Sequence, residues 1–179
     1  MRTPKQEHSS LEYASLGLIR NGVCYGYEIF KQMSDTKGLG QVWLIKPANL
    51  YAILSKMEAA NWLKAKVTSA GNRPPRKEYS LTSEGERIFE EWCFSIAKHP
   101  REMRQDFLVR WYFIRGDKKK SEKLIQDQIG ECNLWEAGLH SKKSEVGASD
   151  WFESTLYQFR INQIRGIKTW LEQLQRGEK

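Results

Sequence analysis

Between residues 62 and 81 the hydrophobic period of the chain changes from helical to alternating. Leu63, Ala65 and Val67 alternate with polar residues, which predicts a strand with one buried face. A basic, turn-rich loop over 69–77 separates this strand from a second one over 78–81. Since helical patterns flank this hairpin on both sides, we expect a mainly α protein with one small β-hairpin.

Three helical patterns precede the hairpin and one follows it. They cover 10–21, 25–33, 47–60 and 83–97, with a minimal strand predicted over 42–45. Pro47 suits the first turn of the third helix, and Ser83 with Glu86 has the spacing of a capping box in the fourth. This order is typical of an N-terminal winged helix-turn-helix, whose third helix enters the major groove of DNA and whose hairpin loop forms the wing.

The rest of the chain predicts a second, helical region. Helical segments follow over 101–115, from a cap at Asp117, and from 149 or 150 onward. We therefore expect a flexible tail over 1–9, a winged-helix DNA-binding domain over 10–98 and a helical C-terminal dimerisation region over 101–179. Apolar residues of the last helix step by threes and fours, the pattern of a seam against a partner helix. With Trp111, the predicted dimer contacts are Tyr157, Ile161, Ile164, Ile167, Leu171 and Leu174.

The positive charge of the chain is concentrated in one segment. The sequence has 29 Lys+Arg against 22 Asp+Glu, a formal net charge of +7. Residues 36–77 hold eight of the basic residues and a single acid, Glu58, so this segment accounts for the whole excess. Such localisation favours a polyanion such as double-stranded DNA as the partner, although a solvated face would have the same composition.

Candidate DNA contacts follow from the polar residues of the third helix and the wing. In the helix they are Lys46, Asn49, Tyr51 and Lys56, and in the wing Asn72, Arg73, Arg76 and Lys77. A helix N-terminus binds phosphate, which suits Lys46, and asparagine pairs with adenine through two hydrogen bonds. The wing cations would neutralise phosphates. For Tyr51, contact with DNA and packing in a half-buried position are both open.

The sequence contains no catalytic or cofactor motif. The histidines lack the i, i+4 spacing of two metal ligands on one helix, and no phosphate-binding glycine loop or nucleophile elbow occurs. Cys24, Cys93 and Cys132 are widely spaced, which indicates reduced thiols, with a redox switch as the alternative. No apolar stretch is long enough for a signal peptide or a membrane span. We therefore expect a cytoplasmic protein without cofactor, metal or enzymatic activity.

Several short motifs occur in the order that the PadR family of bacterial transcriptional regulators shows. They are Leu16-Gly17-Leu18, Gly26-Tyr27-Glu28-Ile29, Asn49-Leu50-Tyr51, Arg73-Pro74 and Leu81-Thr82-Ser83-Glu84-Gly85. The chain resembles this family from about residue 11 to residue 94, and more loosely beyond. The resemblance implies a homodimeric repressor whose C-terminal helices form the interface. Ala48 and Ala52 stand where the family usually has glycine and proline, so the operator sequence is expected to differ.

Aromatic residues of the C-terminal half suggest an effector site. Trp111, Trp135, Trp151 and Tyr157 would bind a small aromatic molecule that releases the protein from DNA, or they pack in the core of the interface. The leading hypothesis is a ligand-responsive repressor that binds a pseudo-palindromic operator as a homodimer. The alternative is a winged-helix interaction module whose basic face binds an acidic protein partner.

Overall fold

A computed structural model of the chain describes residues 9–69, 75–147 and 150–177. These residues fall into two compact units, one formed by 9–94 with 104–113 and the other by 95–103 with 114–177. The mainly helical fold with one small antiparallel hairpin, expected from the sequence, is confirmed.

The N-terminal unit contains helices and a two-stranded sheet. Its elements are α1 (Ser10–Arg20), α2 (Gly26–Ser34), α3 (Pro47–Ala59), β1 (Leu63–Thr68), β2 (Arg76–Leu81), α4 (Ser83–Cys93) and α5 (Leu108–Ile114). The strands pair antiparallel, with Leu63 opposite Leu81. An isolated bridge joins Tyr25 to Glu78, so the segment before α2 is attached to the other edge of β2.

Local signals set the ends of these helices. Ser9 caps α1, and its backbone N–H donates to the Glu12 carboxylate at 2.9 Å. Gly22 and Asn61 adopt the left-handed conformation just beyond α1 and α3, with φ angles of 93° and 58°. The sequence predicted both helix ends because glycine and asparagine tolerate this conformation.

Apolar stripes of the helices form the core of the unit. Leu16, Leu54 and Phe89 are at most 1% exposed. Burying a side chain of this size contributes about 1.5–3 kcal/mol to folding. In α3 the buried stripe is Leu50, Leu54 and Met57, which orients the remaining face of this helix toward solvent.

Three local predictions in this unit are wrong. No strand forms over 42–45, since a 3-10 turn at Gly38–Gln41 precedes a stretch without regular structure. The buried face predicted for β1 does not extend to Val67. This residue pairs with the exposed Lys77 and is itself 64% exposed. The N-cap of α4 is Thr82 rather than Ser83, because the Thr82 hydroxyl accepts the backbone N–H of Gly85.

The helix predicted over 101–115 is interrupted. Pro100–Glu102 form a 3-10 turn, Met103–Phe107 form one π-helical turn, and α5 begins only at Leu108. The preceding helix, α4, ends at Cys93 rather than near Ala97. These breaks coincide with the points at which the chain passes from one unit to the other.

The C-terminal unit is dominated by two long helices. They are α6 (Lys118–Ser144) and α7 (Trp151–Arg176). Asp117 and Asp150 cap them, each accepting a backbone N–H three residues onward. The helices pack antiparallel, since Lys143 near the end of α6 bonds Gln158 near the start of α7.

Candidate nucleic-acid interface

Helix α3 presents its polar face to solvent. Lys46 occupies the N-cap, Pro47 the first helical position, and Lys46, Asn49 and Ser55 are all exposed. The first backbone N–H groups of a helix have no intrahelical partner, and together with the helix dipole they attract anions. The start of α3 therefore combines the positive end of the helix dipole with an exposed lysine and an exposed asparagine.

Tyr51 is partly accessible to a ligand and also packs against a neighbouring helix, so the structure combines the two alternatives that the sequence left open. Its side chain is 46% exposed, but its ring packs against Gly26 in the first turn of α2. A Cβ atom at Gly26 would lie 2.8 Å from Cε1 of Tyr51, closer than real Cβ contacts allow. Gly26 thus lets the ring edge and hydroxyl group of Tyr51 approach α2, although the residue as a whole stays 46% exposed.

Lys56 forms an ion pair with α1. Its Nζ lies 2.6 Å from Oε1 of Glu12, whose side chain is only 3% exposed. The same carboxylate accepts the backbone N–H of Ser9. Lys56 therefore balances a buried charge, and its role as a DNA contact stays a prediction.

The hairpin places further cations near α3. Arg76 and Lys77 are exposed on β2, and Lys64 and Lys66 are exposed on β1. Lys77 also bonds the Glu58 carboxylate at 2.8 Å, and this hydrogen bond raises the pKa of Lys77 above its usual value. The root of the wing is thereby attached to the end of α3. The other predicted wing contacts, Asn72 and Arg73, lie outside the described residues.

A groove of about 900 Å³ lies between α2, α3 and β2. Its lining is mainly aromatic and cationic, with Glu28 as its one acid, and includes Tyr25, Tyr27, Tyr51, Tyr79, Lys31, Arg76 and Lys77. Phenol hydroxyls and cationic side chains both donate hydrogen bonds to phosphate oxygens. The groove therefore joins the exposed face of α3 to the base of the hairpin as one surface suited to a polyanion.

The attachment of β2 to the segment before α2 was missed by the sequence analysis. The Tyr79 N–H donates to the Cys24 carbonyl at 2.8 Å, and burial raises the pKa of the Tyr79 phenol. The only signal is the short run Val23-Cys24-Tyr25 between two glycines, which is too short for a periodicity. This bond fixes one wall of the groove.

Much of the seam predicted for a partner helix is buried within a single chain. Ile161, Ile164 and Leu171 are at most 1% exposed, in the packing of α7 against α6. Tyr157, Ile167 and Leu174 are half-buried, as is Trp111 in α5. Whether these residues also contact a second copy stays a prediction.

A different set of apolar residues is exposed in the C-terminal unit. The larger members are Leu134 on α6 and Trp151, Phe152, Leu156 and Phe159 on α7, with exposures between 42% and 75%. Phe152, Leu156 and Phe159 step by four and three, so they share one face of α7. This face was not predicted from the sequence, because the apolar residues from Tyr157 onward have a more regular helical spacing.

The residues predicted to bind an aromatic effector lie in different surroundings. Trp111 belongs to the N-terminal unit, and the other three belong to the C-terminal unit. The indole of Trp135 donates to Glu131 at 3.1 Å, whereas Trp151 is 75% exposed. Their role in effector binding stays a prediction.

The cysteines are free thiols. Cys93 and Cys132 are buried and Cys24 is half-buried. Burial raises the pKa of the Cys132 thiol to about 11, which disfavours the reactive thiolate. In the described part of the chain, no group of three or more His, Cys, Asp and Glu side chains is placed to hold a metal ion. No helix within the described ranges is long and apolar enough to cross a membrane.

Three helices followed by an antiparallel hairpin, with a groove between α2, α3 and β2, define a winged helix, the fold of many DNA-binding regulators of transcription. Residues 16–91 match the model of the Transcriptional regulator PadR-like family. Residues 16–91 therefore carry the sequence pattern of the PadR-like family of transcriptional regulators, which the chain resembles.

The chain is similar to known bacterial members of this family. It is 29% identical over 140 residues to the negative transcriptional regulator PadR of Bacillus subtilis (strain 168), covering 78% of this chain and 76% of the relative. The crystal structure of B. subtilis PadR in complex with operator DNA is 24% identical, covering 92% of this chain and 97% of that one, with a TM-score of 0.47. The structure of B. subtilis PadR in complex with p-coumaric acid is 22% identical, covering 98% and 97%, with a TM-score of 0.41.

Proposed function

We propose that this protein is a cytoplasmic repressor that binds a pseudo-palindromic operator in double-stranded DNA as a homodimer. The observation that carries the proposal is the groove between α2, α3 and β2, which brings the exposed face of the third helix and the cations of the hairpin onto one surface. Repression is proposed because the relative that aligns over most of the chain is a negative transcriptional regulator. We assign the protein no catalytic activity, since its family is one of regulators.

The two parts of the surface have different roles in this proposal. Asn49, exposed in the first turn of α3, contacts base edges and contributes specificity. Lys46 and Arg76 contact phosphates and contribute affinity without sequence information. Tyr51 packs beside Gly26, and in this proposal its hydroxyl group donates a hydrogen bond to the DNA backbone.

Dimerisation is proposed through the exposed apolar face of α7 formed by Phe152, Leu156 and Phe159. Monomeric proteins rarely leave so many large apolar side chains exposed on one element. A two-fold dimer would present two α3 helices to successive major grooves, whose spacing is about 34–36 Å. An aromatic effector would release the protein from DNA if it bound better to a dimer with displaced α3 helices.

DNA binding is tested by fluorescence anisotropy with the duplex upstream of the protein's own gene and with a scrambled duplex, each at two salt concentrations. We expect a preference of about 10³-fold or more for the upstream duplex. Arg76→Ala should weaken binding to both duplexes equally and reduce the salt slope by about 0.9 per lost phosphate contact. Asn49→Ala should instead reduce the preference, by about 1–3 kcal/mol.

Lys142→Ala, in the last turn of α6, is the matched control for the loss of one exposed cation. It should leave both affinities unchanged. Weak binding that is equal for both duplexes and disappears at high salt would contradict operator recognition at this site. Insensitivity of DNA binding to Arg76→Ala would favour an acidic protein as the partner of the basic face.

Dimerisation is tested by sedimentation velocity over a range of protein concentrations. The double variant Phe152→Glu, Phe159→Glu should shift the protein toward monomer, because it places two charges on the apolar face. Leu44→Glu is the control, since Leu44 is fully exposed in the N-terminal unit. A double variant that remains dimeric would place the interface elsewhere on the chain.

A further inference from the structure

Leu44 is a fully exposed apolar residue beside the start of α3. It lies two residues before Lys46, the N-cap of the helix that is proposed to enter the major groove. We propose that Leu44 contacts the C5 methyl group of a thymine in the operator and thereby contributes to the choice of DNA sequence. This inference rests on the proposed function, and it adds an apolar contact to the polar DNA contacts already assigned.

The turn that leads to Leu44 is fixed by the fold. A Cβ atom at Gly40 would overlap the backbone carbonyl oxygen of Asp35, so the two backbones pack directly against each other. The side-chain amide of Gln41 donates to the Thr36 carbonyl at 2.9 Å. Leu44 therefore follows a turn that is ordered before DNA binds, which lowers the entropic cost of a contact at this position.

Burial alternates along the residues that join this turn to α3. Trp43 is buried and Ile45 is half-buried. Leu44 and Lys46 are exposed, and the backbone of Lys46 is extended, with φ −96° and ψ 147°. Since alternate side chains of an extended chain lie on the same side, Leu44 accompanies Lys46 on the side away from Trp43. Two extended residues span about 6–7 Å, roughly two base-pair steps, so a base edge lies within reach of Leu44 when Lys46 contacts a phosphate.

The chemistry of leucine identifies the group that it contacts. Against a phosphate, Leu44 would displace water from an anion without offering a hydrogen bond, which is unfavourable. The edges of base pairs in the major groove present hydrogen-bond donors and acceptors, and the C5 methyl group of thymine is the apolar exception. Covering one methyl group corresponds to about fourfold in affinity. Leu44 therefore selects thymine by apolar contact, whereas Asn49 reads a base by hydrogen bonds.

The surroundings of Leu44 favour DNA over a protein as the partner that covers it. Residues 46–49, which follow it along the chain, are exposed and include a lysine and an asparagine. The segment 36–77 around it holds eight basic residues and Glu58 as its single acid. The core of a protein interface is depleted in charged residues and groups several apolar side chains together. One leucine among cations instead suits a polyanion that carries a methyl group.

The test measures the affinity of the full-length protein for a duplex that it selects from a random-sequence pool. Thymines of this duplex are replaced by uracil at one position of each half-site at a time, which removes only the C5 methyl group. We expect a position at which the wild-type protein loses about fourfold in affinity per half-site. Leu44→Ala should bind the unmodified duplex with a similar loss and lose nothing further at that uracil, because the contact is already absent. Leu44→Met keeps an apolar side chain and should retain the sensitivity to uracil.

Leu134→Ala is the matched control, since Leu134 is an exposed leucine of the C-terminal unit, and it should respond to uracil as the wild-type protein does. Failure to select any duplex would overturn the proposed function and this inference with it. If a duplex is selected but no uracil position distinguishes wild type from Leu44→Ala, operator recognition stands and the thymine contact is wrong. An equal loss for Leu44→Ala on selected and scrambled duplexes would also overturn it, because Leu44 would then contact the sugar–phosphate backbone. Melting temperatures of the variants check that each is folded.

Discussion

The two compact units differ in which helical faces they leave exposed. In the N-terminal unit the apolar stripes of the helices are buried, and cations lie exposed on α3 and the hairpin. In the C-terminal unit, α7 leaves Trp151, Phe152 and Phe159 exposed. Charged side chains there pair across the helices, as Glu136 does with Arg165 and Lys168.

This difference follows from how many elements surround each core. Two antiparallel helices bury only the stripe between them, so any further apolar residues remain on the outside. The N-terminal unit brings several helices and a hairpin onto one core and needs no further cover. We therefore expect the stability of the C-terminal unit, but not that of the N-terminal unit, to depend on protein concentration.

The largest change in stability is expected from a substitution in the core of the N-terminal unit. Leu54→Ala removes a fully buried side chain of α3 and should lower the free energy of unfolding by about 2–5 kcal/mol, through lost burial and the cavity left behind. Chemical denaturation measures the change. Leu44→Ala is the matched control, since Leu44 is fully exposed and its loss should cost less than about 0.5 kcal/mol. Equal effects of the two substitutions would contradict the assigned core.

The next largest change in stability is expected from a buried hydrogen-bonding side chain in the C-terminal unit. Gln128→Ala removes the buried amide that bonds both backbone groups of Ala97. Leaving these groups unsatisfied should destabilise the protein by about 1–3 kcal/mol. Gln126→Ala, an exposed position on the same helix, should be close to neutral. A neutral Gln128→Ala variant would mean that the segment around Ala97 is held by other contacts.

The sequence predicted those features that depend on neighbouring residues. Asp117 caps α6, and Gly22 follows the end of α1, because caps and left-handed residues act within one helical turn. The buried stripe of α3 was also predicted, since it follows from helical spacing alone. The buried stripe also determines which face of α3 is exposed, so this part of the candidate site was predicted as well.

Features that depend on distant residues were not predicted. The partner of Lys56 is Glu12, 44 positions earlier, and the bond between Tyr79 and Cys24 joins the predicted strand 78–81 to a segment that shows no pattern of its own. The seam of α7 was recognised from its spacing, but spacing does not say which helix covers it. Ile161 and Ile164 are buried within their own chain, and α6 is the element with which α7 packs.

A smaller change in stability should distinguish cations that form ion pairs within the N-terminal unit from cations that face solvent. Lys56→Met leaves the buried Glu12 carboxylate without its ammonium partner and should reduce stability by about 1 kcal/mol, the upper range for a partly exposed pair. Lys64→Met, on the exposed side of β1, should have little effect. Thermal melting compares the two variants. Equal melting temperatures would show that the Lys56 ion pair contributes nothing measurable.

The smallest expected effect concerns the ion pairs of the C-terminal unit and depends on pH. Hydrogen bonds from Arg165 and Lys168 hold the pKa of Glu136 below its usual value. A carboxylate with a depressed pKa in the folded state stabilises the protein above its unfolded pKa, and this contribution is lost as the pH falls through the folded value. Wild type should therefore melt above Glu136→Gln at pH 7, and the difference should shrink as the pH falls below about 4.5, the ordinary glutamate pKa.

The matched control for this pH dependence is Glu172→Gln, which changes a carboxylate on α7 itself. It should not reproduce the pH-dependent difference, because Arg165 and Lys168 direct their charges at Glu136 on the facing helix. Melting curves of the three proteins at several pH values give the comparison directly. A difference between wild type and Glu136→Gln that is constant with pH would mean that the side chain acts through packing alone. In that case the polar contacts between α6 and α7 would order the two helices without adding electrostatic stability, and the buried residues Ile161, Ile164 and Leu171 would supply most of the free energy that holds them together.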